Sequence, residues 1–186
     1  MPPPDHKSRH AIEHLRARII SGEWRSKMRL PTRSELEAQL GVSRVTLQRV
    51  MDQLSAEGFI RSKRRSGTFV SDHPPHLSRY ALLLPYSRST AYSVFWEALA
   101  DQAEILNEVD RVHSLTVYRN IWPERRDEQE FAKLIEDVRS HRLAGLIFAS
   151  SPHGLTRSAL MTEPDMPRVM IVSFPGPAPM PVVRND

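Results

Sequence analysis

Side chains that donate hydrogen bonds to anions are concentrated in two short stretches near the amino terminus. The first lies on the outer face that helical periodicity leaves to one predicted helix, where the donors Arg44, Gln48 and Arg49 stand beside Val45 and Asp52. The second is a run of three cations: Lys63, Arg64 and Arg65. Guanidinium, ammonium and amide groups bind phosphate oxygens and the edges of bases, so both stretches are suited to contact with a nucleic acid.

Two predicted helices joined by a tight turn position the first stretch. Thr32 and Glu35 form a T-x-x-E capping box, which predicts that a helix begins just after Thr32. Gly41 supplies the left-handed residue of the turn, and Ser43 caps the second helix. The buried stripe of that helix follows the spacing i, i+3, i+4, i+7: Leu47, Val50, Met51 and Leu54. This pattern is typical of a helix-turn-helix whose second helix enters a major groove, although such helix pairs also occur in many all-α domains.

A predicted β-hairpin positions the second stretch. Phe59 and Ile60 begin one short strand, residues 68–70 form the other, and the turn runs through residues 65–67. A run of charges is more often a solvated surface than a binding site. Beside a cationic helix, however, cations at the tip of a hairpin can contact phosphates or enter a minor groove. A further helix is predicted over residues 10–21, where apolar residues recur at helical spacing.

Composition excludes several other classes of protein. At 186 residues the chain has room for one ordinary domain or two small ones. It contains no cysteine, so a disulfide framework and a thiolate metal site are excluded, and a reducing cytoplasm is the expected setting. Residues 1–7 lack the apolar core of a signal peptide, and no apolar run approaches the length of a membrane span. We therefore predict a soluble protein without a membrane partner.

The charge is distributed unevenly along the chain. Residues 1–72 carry 14 Lys and Arg against 8 Asp and Glu, a net charge of +6. Residues 73–186 carry 12 against 14, a net charge of −2. A basic first part and a mildly acidic second part indicate two functional halves, of which the first contacts a polyanion.

Residues 10–71 resemble the winged helix-turn-helix of the GntR family of bacterial transcription regulators. The resemblance is carried by Ile-Ile-Ser-Gly-Glu-Trp at 19–24, Leu-Pro-Thr at 30–32, Gly-Val-Ser-Arg-Val-Thr-Leu at 41–47, Leu54 with Glu-Gly-Phe-Ile at 57–60, and Ser-Gly-Thr-Phe-Val at 66–70. It implies three helices and a two-stranded wing that bind a palindromic operator in double-stranded DNA as a homodimer. A transcription regulator that acts as an effector-responsive repressor is the function implied.

The resemblance also implies roles for individual residues. Arg44 matches an arginine that reaches a guanine edge, whereas Ser43 and Thr46 match positions that bind phosphate. Gln48 stands where relatives commonly have arginine, and a glutamine can read adenine. Arg49 is either a phosphate contact or a surface cation paired with Asp52 or Gln53. The full predicted DNA-binding set is Thr32, Arg33, Ser34, Ser43, Arg44, Val45, Thr46, Gln48, Arg49, Lys63, Arg64, Arg65, Ser66 and Gly67.

The chain departs from the family pattern at two places. Relatives usually have Ser-Glu-Arg-Glu where this chain has Thr-Arg-Ser-Glu at 32–35, so Arg33 is displaced by one position and Ser34 replaces the usual contact. Arg65 replaces a glycine of the wing, which predicts a more cationic and less tightly turned tip.

The second half alternates predicted strands and helices. Strands are predicted at 80–84, 112–118, 144–149 and 169–173, with one more in 174–186; helices are predicted at 94–106, 127–141 and 155–161. In the helix at 94–106 the predicted buried side comprises Phe95, Leu99, Ala103 and Leu106. Continuously apolar strands that alternate with helices indicate a parallel α/β sheet covered on both faces. The predicted organisation is a flexible tail over 1–9, a DNA-binding domain over 10–72, a linker over 73–78 and an α/β domain over 79–186. His73 and His76 in that linker could be metal ligands, but no carboxylate or cysteine cluster accompanies them.

This half resembles the first lobe of the sensor domain of LacI/GalR-type repressors, which is similar to periplasmic binding proteins. The resemblance rests on Leu-Leu-Leu-Pro at 82–85, Phe-Trp-Glu-Ala-Leu at 95–99 and Arg-Leu-Ala-Gly-Leu-Ile-Phe at 142–148 ahead of Ser-Ser. It implies an arabinose-repressor type of architecture that ends after one lobe, either as a fragment or as a naturally short protein. Residues that could bind a sugar effector are Tyr86, Ser87, Tyr92, Ser150 and Ser151, although each could equally be an ordinary loop or cap residue.

Two alternatives remain open at this point. A regulator of the same family could carry a helical or an antiparallel α+β sensor. An enzyme fused to the DNA-binding module would need a longer chain, and the sequence has no phosphate-binding glycine loop, nucleophile elbow or zinc spacing. We therefore predict no enzyme activity, no cofactor and no metal.

Overall fold

The chain folds as two compact units, Met1–Pro75 and His76–Asp186. The computed structural model describes residues 6–85, 94–172 and 180–184. The boundary between the two units lies within the predicted linker at 73–78.

The first unit consists of three helices followed by a two-stranded wing. Its elements are α1 (His6–Ile20), α2 (Arg33–Leu40), α3 (Arg44–Ala56), β1 (Ile60–Lys63) and β2 (Gly67–Val70). The strands are antiparallel, with Ile60 opposite Val70 and Lys63 opposite Gly67. The order of elements agrees with the prediction, but the tail assigned to residues 1–9 is wrong over residues 6–9. Helix α1 begins at His6 because no helix breaker stands between Pro4 and the apolar repeat, and Ser8 is buried in its first turns.

One apolar core joins the helices of this unit. The buried stripe of α3 is the predicted one, and it packs with residues of α1, α2 and the wing: Ala11, Ile12, Leu15, Ile19, Trp24, Leu30, Leu36, Phe59, Ile60 and Val70. Full burial of a leucine or valine side chain contributes about 1.5–3 kcal/mol to folding. The orientation of α3 is therefore fixed by contacts along the whole of its inner face.

A buried ion pair connects α1 to the end of α3. Arg16 Nη2 lies 2.6 Å from Glu57 Oε2, and both side chains are largely excluded from solvent. The same guanidinium lies 5.4 Å from the ring centroid of Phe59, the residue that leads into the wing. Gly58, with φ +88°, turns the chain between Glu57 and Phe59. The ion pair of Arg16 with Glu57 therefore fixes the direction in which the chain leaves α3 for the wing.

The second unit is a five-stranded parallel sheet with helices on both faces. Its elements are α4 (Pro75–Ser78), β3 (Arg79–Leu84), α5 (Val94–Val109), β4 (Ser114–Arg119), a 3-10 turn (Pro123–Arg125), α6 (Glu128–Arg139), β5 (Gly145–Phe148), α7 (Ala159–Thr162), β6 (Arg168–Val172) and β7 (Val182–Arg184). The strand order is β4-β3-β5-β6-β7, and neighbouring strands among the described residues are parallel. The parallel α/β prediction is confirmed, and the alternative of a helical or antiparallel sensor is wrong for this unit.

Two details of this unit differ from the sequence expectation. Part of the predicted linker, residues 75–78, is the helical turn α4, which begins with a proline at a position where helices tolerate one. In α5 the buried residues are Ala100 and Ala103, with Trp96 and Leu99 partly buried beside them, whereas Leu106 is 48% exposed. The small side chains of Ala100 and Ala103 pack in one cluster with Leu82 and Leu84 of the sheet, and Leu106 lies outside that cluster.

A buried polar cluster links β4 to α6. The hydroxyl of Tyr118 donates a hydrogen bond to Asp137 Oδ2, and Arg142 Nε lies 2.6 Å from Asp137 Oδ1. Burial raises the pKa of Tyr118 above its usual value, and the hydrogen bond to Asp137 acts in the same direction. Tyr118 therefore stays a hydrogen-bond donor, and Asp137 is the acceptor that its buried hydroxyl requires.

We predict that Asp137→Ala destabilises the second unit by about 2–4 kcal/mol, because it removes the carboxylate from both Tyr118 and Arg142. Tyr118→Phe removes one hydrogen bond and should cost about 1 kcal/mol. Hydrogen exchange of the amides in β3 and β4 measures the effect, and the amides of α3 in the other unit serve as the internal reference. Equal protection of β3 and β4 in wild type and Asp137→Ala would contradict the role assigned to this cluster.

Candidate nucleic-acid interface

The turn between α2 and α3 is held by hydrogen bonds from capping side chains. Thr32 Oγ1 accepts the backbone N–H of Glu35 at 3.4 Å, and the backbone N–H of Thr32 donates to Glu35 Oε2 at 2.7 Å. Gly41 has φ +60° and ψ 34°, and Ser43 Oγ accepts the backbone N–H of Thr46 at 3.2 Å. The capping box, the left-handed glycine and the serine cap are all confirmed.

These caps make the amino termini of the two helices electrostatically different. Hydrogen bonds from the side chain and then the backbone of Thr32 hold the pKa of Glu35 below its usual value. The carboxylate therefore stays charged at the amino terminus of α2. The first turn of α3 contains no acidic residue. The positive end of α3 is thus the better site for a phosphate.

The outer face of α3 carries the predicted contact residues. Arg44 occupies the first helical position and is exposed, as is Arg49. Val45 is the apolar member of this face and is 63% exposed. Thr46 and Gln48 are half-buried. Within the described ranges neither Arg44 nor Arg49 pairs with a carboxylate.

Three of the polar residues near this face are joined by hydrogen bonds. Arg33 at the start of α2 donates from Nη1 to Gln48 Oε1 on α3. Gln48 Nε2 in turn donates to Asp52 Oδ1 at 2.6 Å. Of the two readings of Arg49, the pairing with Asp52 or Gln53 is not present among the described residues: Asp52 accepts from Gln48, and Gln53 donates to Glu57.

The wing presents a continuous polar tip. All five predicted residues of the tip are exposed: Lys63, Arg64, Arg65, Ser66 and Gly67. The backbone N–H of Ser66 donates to the carbonyl of Lys63 at 3.0 Å and closes the turn. Arg65 has φ +62°, so it adopts the left-handed conformation that a glycine would adopt there. The expectation of a less tightly turned tip is wrong, and the cost of keeping a side chain at this position is backbone strain.

Arg29 is a cation that sequence reasoning missed. The chain before α2 pairs with the wing: the N–H of Leu30 donates to Thr68 O and the N–H of Val70 donates to Met28 O, both at 2.9 Å. This pairing brings the guanidinium of Arg29 against Gly67, where an added Cβ would lie 3.0 Å from Arg29 Nε. Residues 28–30 carry no strand pattern, so only the pairing with β2 reveals this neighbour of the wing tip.

The predicted effector residues fall partly outside the described residues. Tyr86, Ser87 and Tyr92 lie in the segment 86–93, which is not described. Ser150 and Ser151 follow β5 at the carboxyl edge of the sheet, the edge at which open parallel sheets bind ligands. The carbonyl of Ser151 accepts the indole N–H of the buried Trp122 at 2.8 Å, which fixes the course of this loop.

The described part of the chain has neither a metal-ligand cluster nor a membrane-spanning helix. It contains no cluster of three or more His, Cys, Asp or Glu side chains that could hold a metal ion. His76 is half-buried, and burial lowers its pKa, with the charge of His141 acting in the same direction. None of the helices in the described ranges is both long enough and apolar enough to span a bilayer.

Three helices, a capped turn and a cationic two-stranded wing define a winged helix-turn-helix, a class of DNA-binding domain. Residues 7–70 match the family model for "Bacterial regulatory proteins, gntR family". This part of the chain is therefore a GntR-family winged helix-turn-helix domain.

Relatives share this domain over a limited length. The chain is 42% identical over 55 residues to the histidine utilization repressor of Klebsiella aerogenes, which is 30% of this chain and 23% of that protein. It is 36% identical over 64 residues to the mannosyl-D-glycerate transport/metabolism system repressor MngR of Escherichia coli K12, 34% of this chain and 27% of that protein. A crystal structure of AraR(DBD) in complex with operator ORR3 is 32% identical over 35% of this chain and 78% of that chain, with a TM-score of 0.34. The matches therefore span about a quarter of the length of these two repressors.

We predict that Arg65→Gly stabilises the first unit by about 0.5–1 kcal/mol, because it relieves the left-handed strain at the wing tip. The same change removes one cation, so the slope of log K against log salt for duplex DNA should fall by about 0.9 if Arg65 contacts a phosphate. Urea unfolding and binding titrations at several salt concentrations measure the two effects. Arg65→Asn is the matched control, since asparagine tolerates this conformation and also lacks the charge. A destabilised Arg65→Gly variant would contradict the assigned strain, and an unchanged salt slope in both variants would contradict the contact.

Proposed function

We propose that the chain is a sequence-specific DNA-binding transcription regulator that acts as a repressor. It binds a two-fold operator as a homodimer, with α3 in the major groove and the wing in an adjacent minor groove. The observation that carries the proposal is the exposed Arg44 at the amino terminus of a closely packed α3, where no carboxylate of the described residues pairs with it. The GntR-family domain and the names of the two repressors support it.

Specificity arises on the outer face of α3. The amino-terminal residues of a recognition helix are the ones that reach base edges, and Arg44 is the first residue of α3. A bidentate contact between its guanidinium and a guanine contributes about 1–3 kcal/mol of discrimination. Val45 is the apolar member of this face and suits contact with a thymine methyl group.

Affinity arises mainly from phosphates. The hydroxyls of Ser43 and Thr46 lie at the amino terminus of α3, 3.0 Å from each other, and either can donate to a phosphate oxygen. Thr32, Arg33 and Ser34 occupy the corresponding end of α2. Arg49 and the wing tip add the remaining cations, and Arg29 joins the tip through its position beside Gly67. Binding of this kind weakens steeply as salt is added.

The second unit is the regulatory part of the proposal. In its strand order, β4-β3-β5-β6-β7, the chain adds β4 on one side of β3 and then continues with β5 on the other side. Open parallel sheets bind ligands beyond the carboxyl ends of the strands at such a switch point. Ser150 and Ser151 follow β5, while Tyr86, Ser87 and Tyr92 follow β3 in sequence. We infer a sugar effector site there, in one lobe of a LacI/GalR-like sensor.

Selection of duplexes from a random pool by the full chain tests the proposal. We predict that wild type enriches a two-fold motif, and that Arg44→Ala weakens discrimination at one base pair of each half-site by about 5- to 150-fold. The comparison variant Arg64→Ala should weaken all duplexes alike and lower the salt slope by about 0.9. Enrichment of no motif by wild type would overturn the proposed function, and unchanged discrimination in Arg44→Ala would remove that residue from base reading.

A further inference from the structure

We propose that Arg33 and Asp52 lock the side-chain amide of Gln48 in one orientation, and that this locked amide makes the base facing Gln48 selectively adenine. The inference rests on the proposed function, because it concerns how the outer face of α3 reads DNA. It assigns Arg33 and Asp52 as positioning residues for Gln48.

The hydrogen bonds around Gln48 permit only one orientation of its amide. A guanidinium can only donate, so Arg33 must bond to Oε1 of Gln48. An ionised carboxylate can only accept, so Asp52 must take an N–H of Nε2, and it lies 2.6 Å away. Rotating the amide by half a turn would place donor against donor on one side and acceptor against acceptor on the other.

The two partners hold Gln48 from different elements. Asp52 is one turn further along α3, so its bond follows from helical spacing. Arg33 is the first residue of α2, whose start is fixed by the capping box of Thr32 and Glu35. The amide is therefore tied both to its own helix and to the preceding one, and Gln48 is half-buried between them.

After these two bonds, the amide of Gln48 still has one donor and one acceptor available for DNA. Nε2 has two N–H groups and Oε1 has two lone pairs, and each atom uses one of them within the protein. In the major groove adenine presents an acceptor, N7, beside a donor, the N6 amino group. Guanine presents two acceptors, N7 and O6, so a fixed donor–acceptor pair satisfies adenine and leaves one mismatch on guanine.

Substitution of the two partners tests the inference in the full chain. The probes are duplexes selected by wild type in which the base pair affected by Gln48→Ala is varied. We expect wild type to prefer adenine over guanine there by about 5- to 150-fold. The variants Arg33→Ala and Asp52→Ala should each reduce that ratio several-fold, because a released amide no longer holds its donor and acceptor in line with N7 and the N6 amino group of adenine.

The ratio separates positioning from a general effect on binding. Asp52→Ala removes a negative charge and should raise the overall affinity for DNA, whereas Arg33→Ala removes a positive charge and should lower it. The preference for adenine over guanine should fall in both variants. In a Gln48→Ala background neither substitution should change the preference further. Arg49→Ala is the matched control, because it removes a cation from α3 without touching Gln48, and it should leave the ratio unchanged.

The outcomes distinguish this inference from the function on which it rests. If wild type selects no motif, the proposed function itself fails. If a motif is selected but the ratio is unchanged in Arg33→Ala and Asp52→Ala, the locked amide is wrong and the function stands. A preference of wild type for a base other than adenine at the base pair affected by Gln48→Ala would also overturn the inference.

Discussion

The left-handed junction at Gly41 is the constraint on which the recognition surface depends. It ends α2 and, two residues later, Ser43 begins α3 with a side-chain cap. A β-carbon at φ +60° would meet no neighbour, so the restriction is one of backbone conformation rather than of space. Because hydrogen bonds close both helix ends at this junction, α3 is held at one angle, and that angle sets the direction of every proposed contact residue on it.

Much of this surface could be predicted because the signals are local. The capping box at Thr32, the serine cap at residue 43 and the buried stripe of α3 each depend on residues within one or two turns of helix. The parallel sheet could be predicted equally well, since strands such as β5 are continuously apolar and alternate with helices. Local agreement of this kind is what makes a sequence specify its elements reliably.

The parts that could not be predicted depend on contacts between distant residues. Arg29 reaches the wing only because residues 28–30 pair with β2, and the bond from Arg33 to Gln48 needs the packing of α2 on α3. Leu106 matches the helical period of α5 but lies beyond the alanines that seat the helix on the sheet. The conformation of Arg65 is set by closure of the hairpin, which overrides the preference of its own side chain.

Val45 gives the recognition surface a component that differs in kind from its charges. An apolar side chain that is 63% exposed gains free energy by leaving water, and no counterion is displaced when it does so. In the proposed complex, the part of DNA binding that Val45 would supply is therefore retained at ionic strengths that weaken the contacts of arginine and lysine. Such a face would keep some preference among DNA sequences even at salt concentrations that screen the contacts with phosphates.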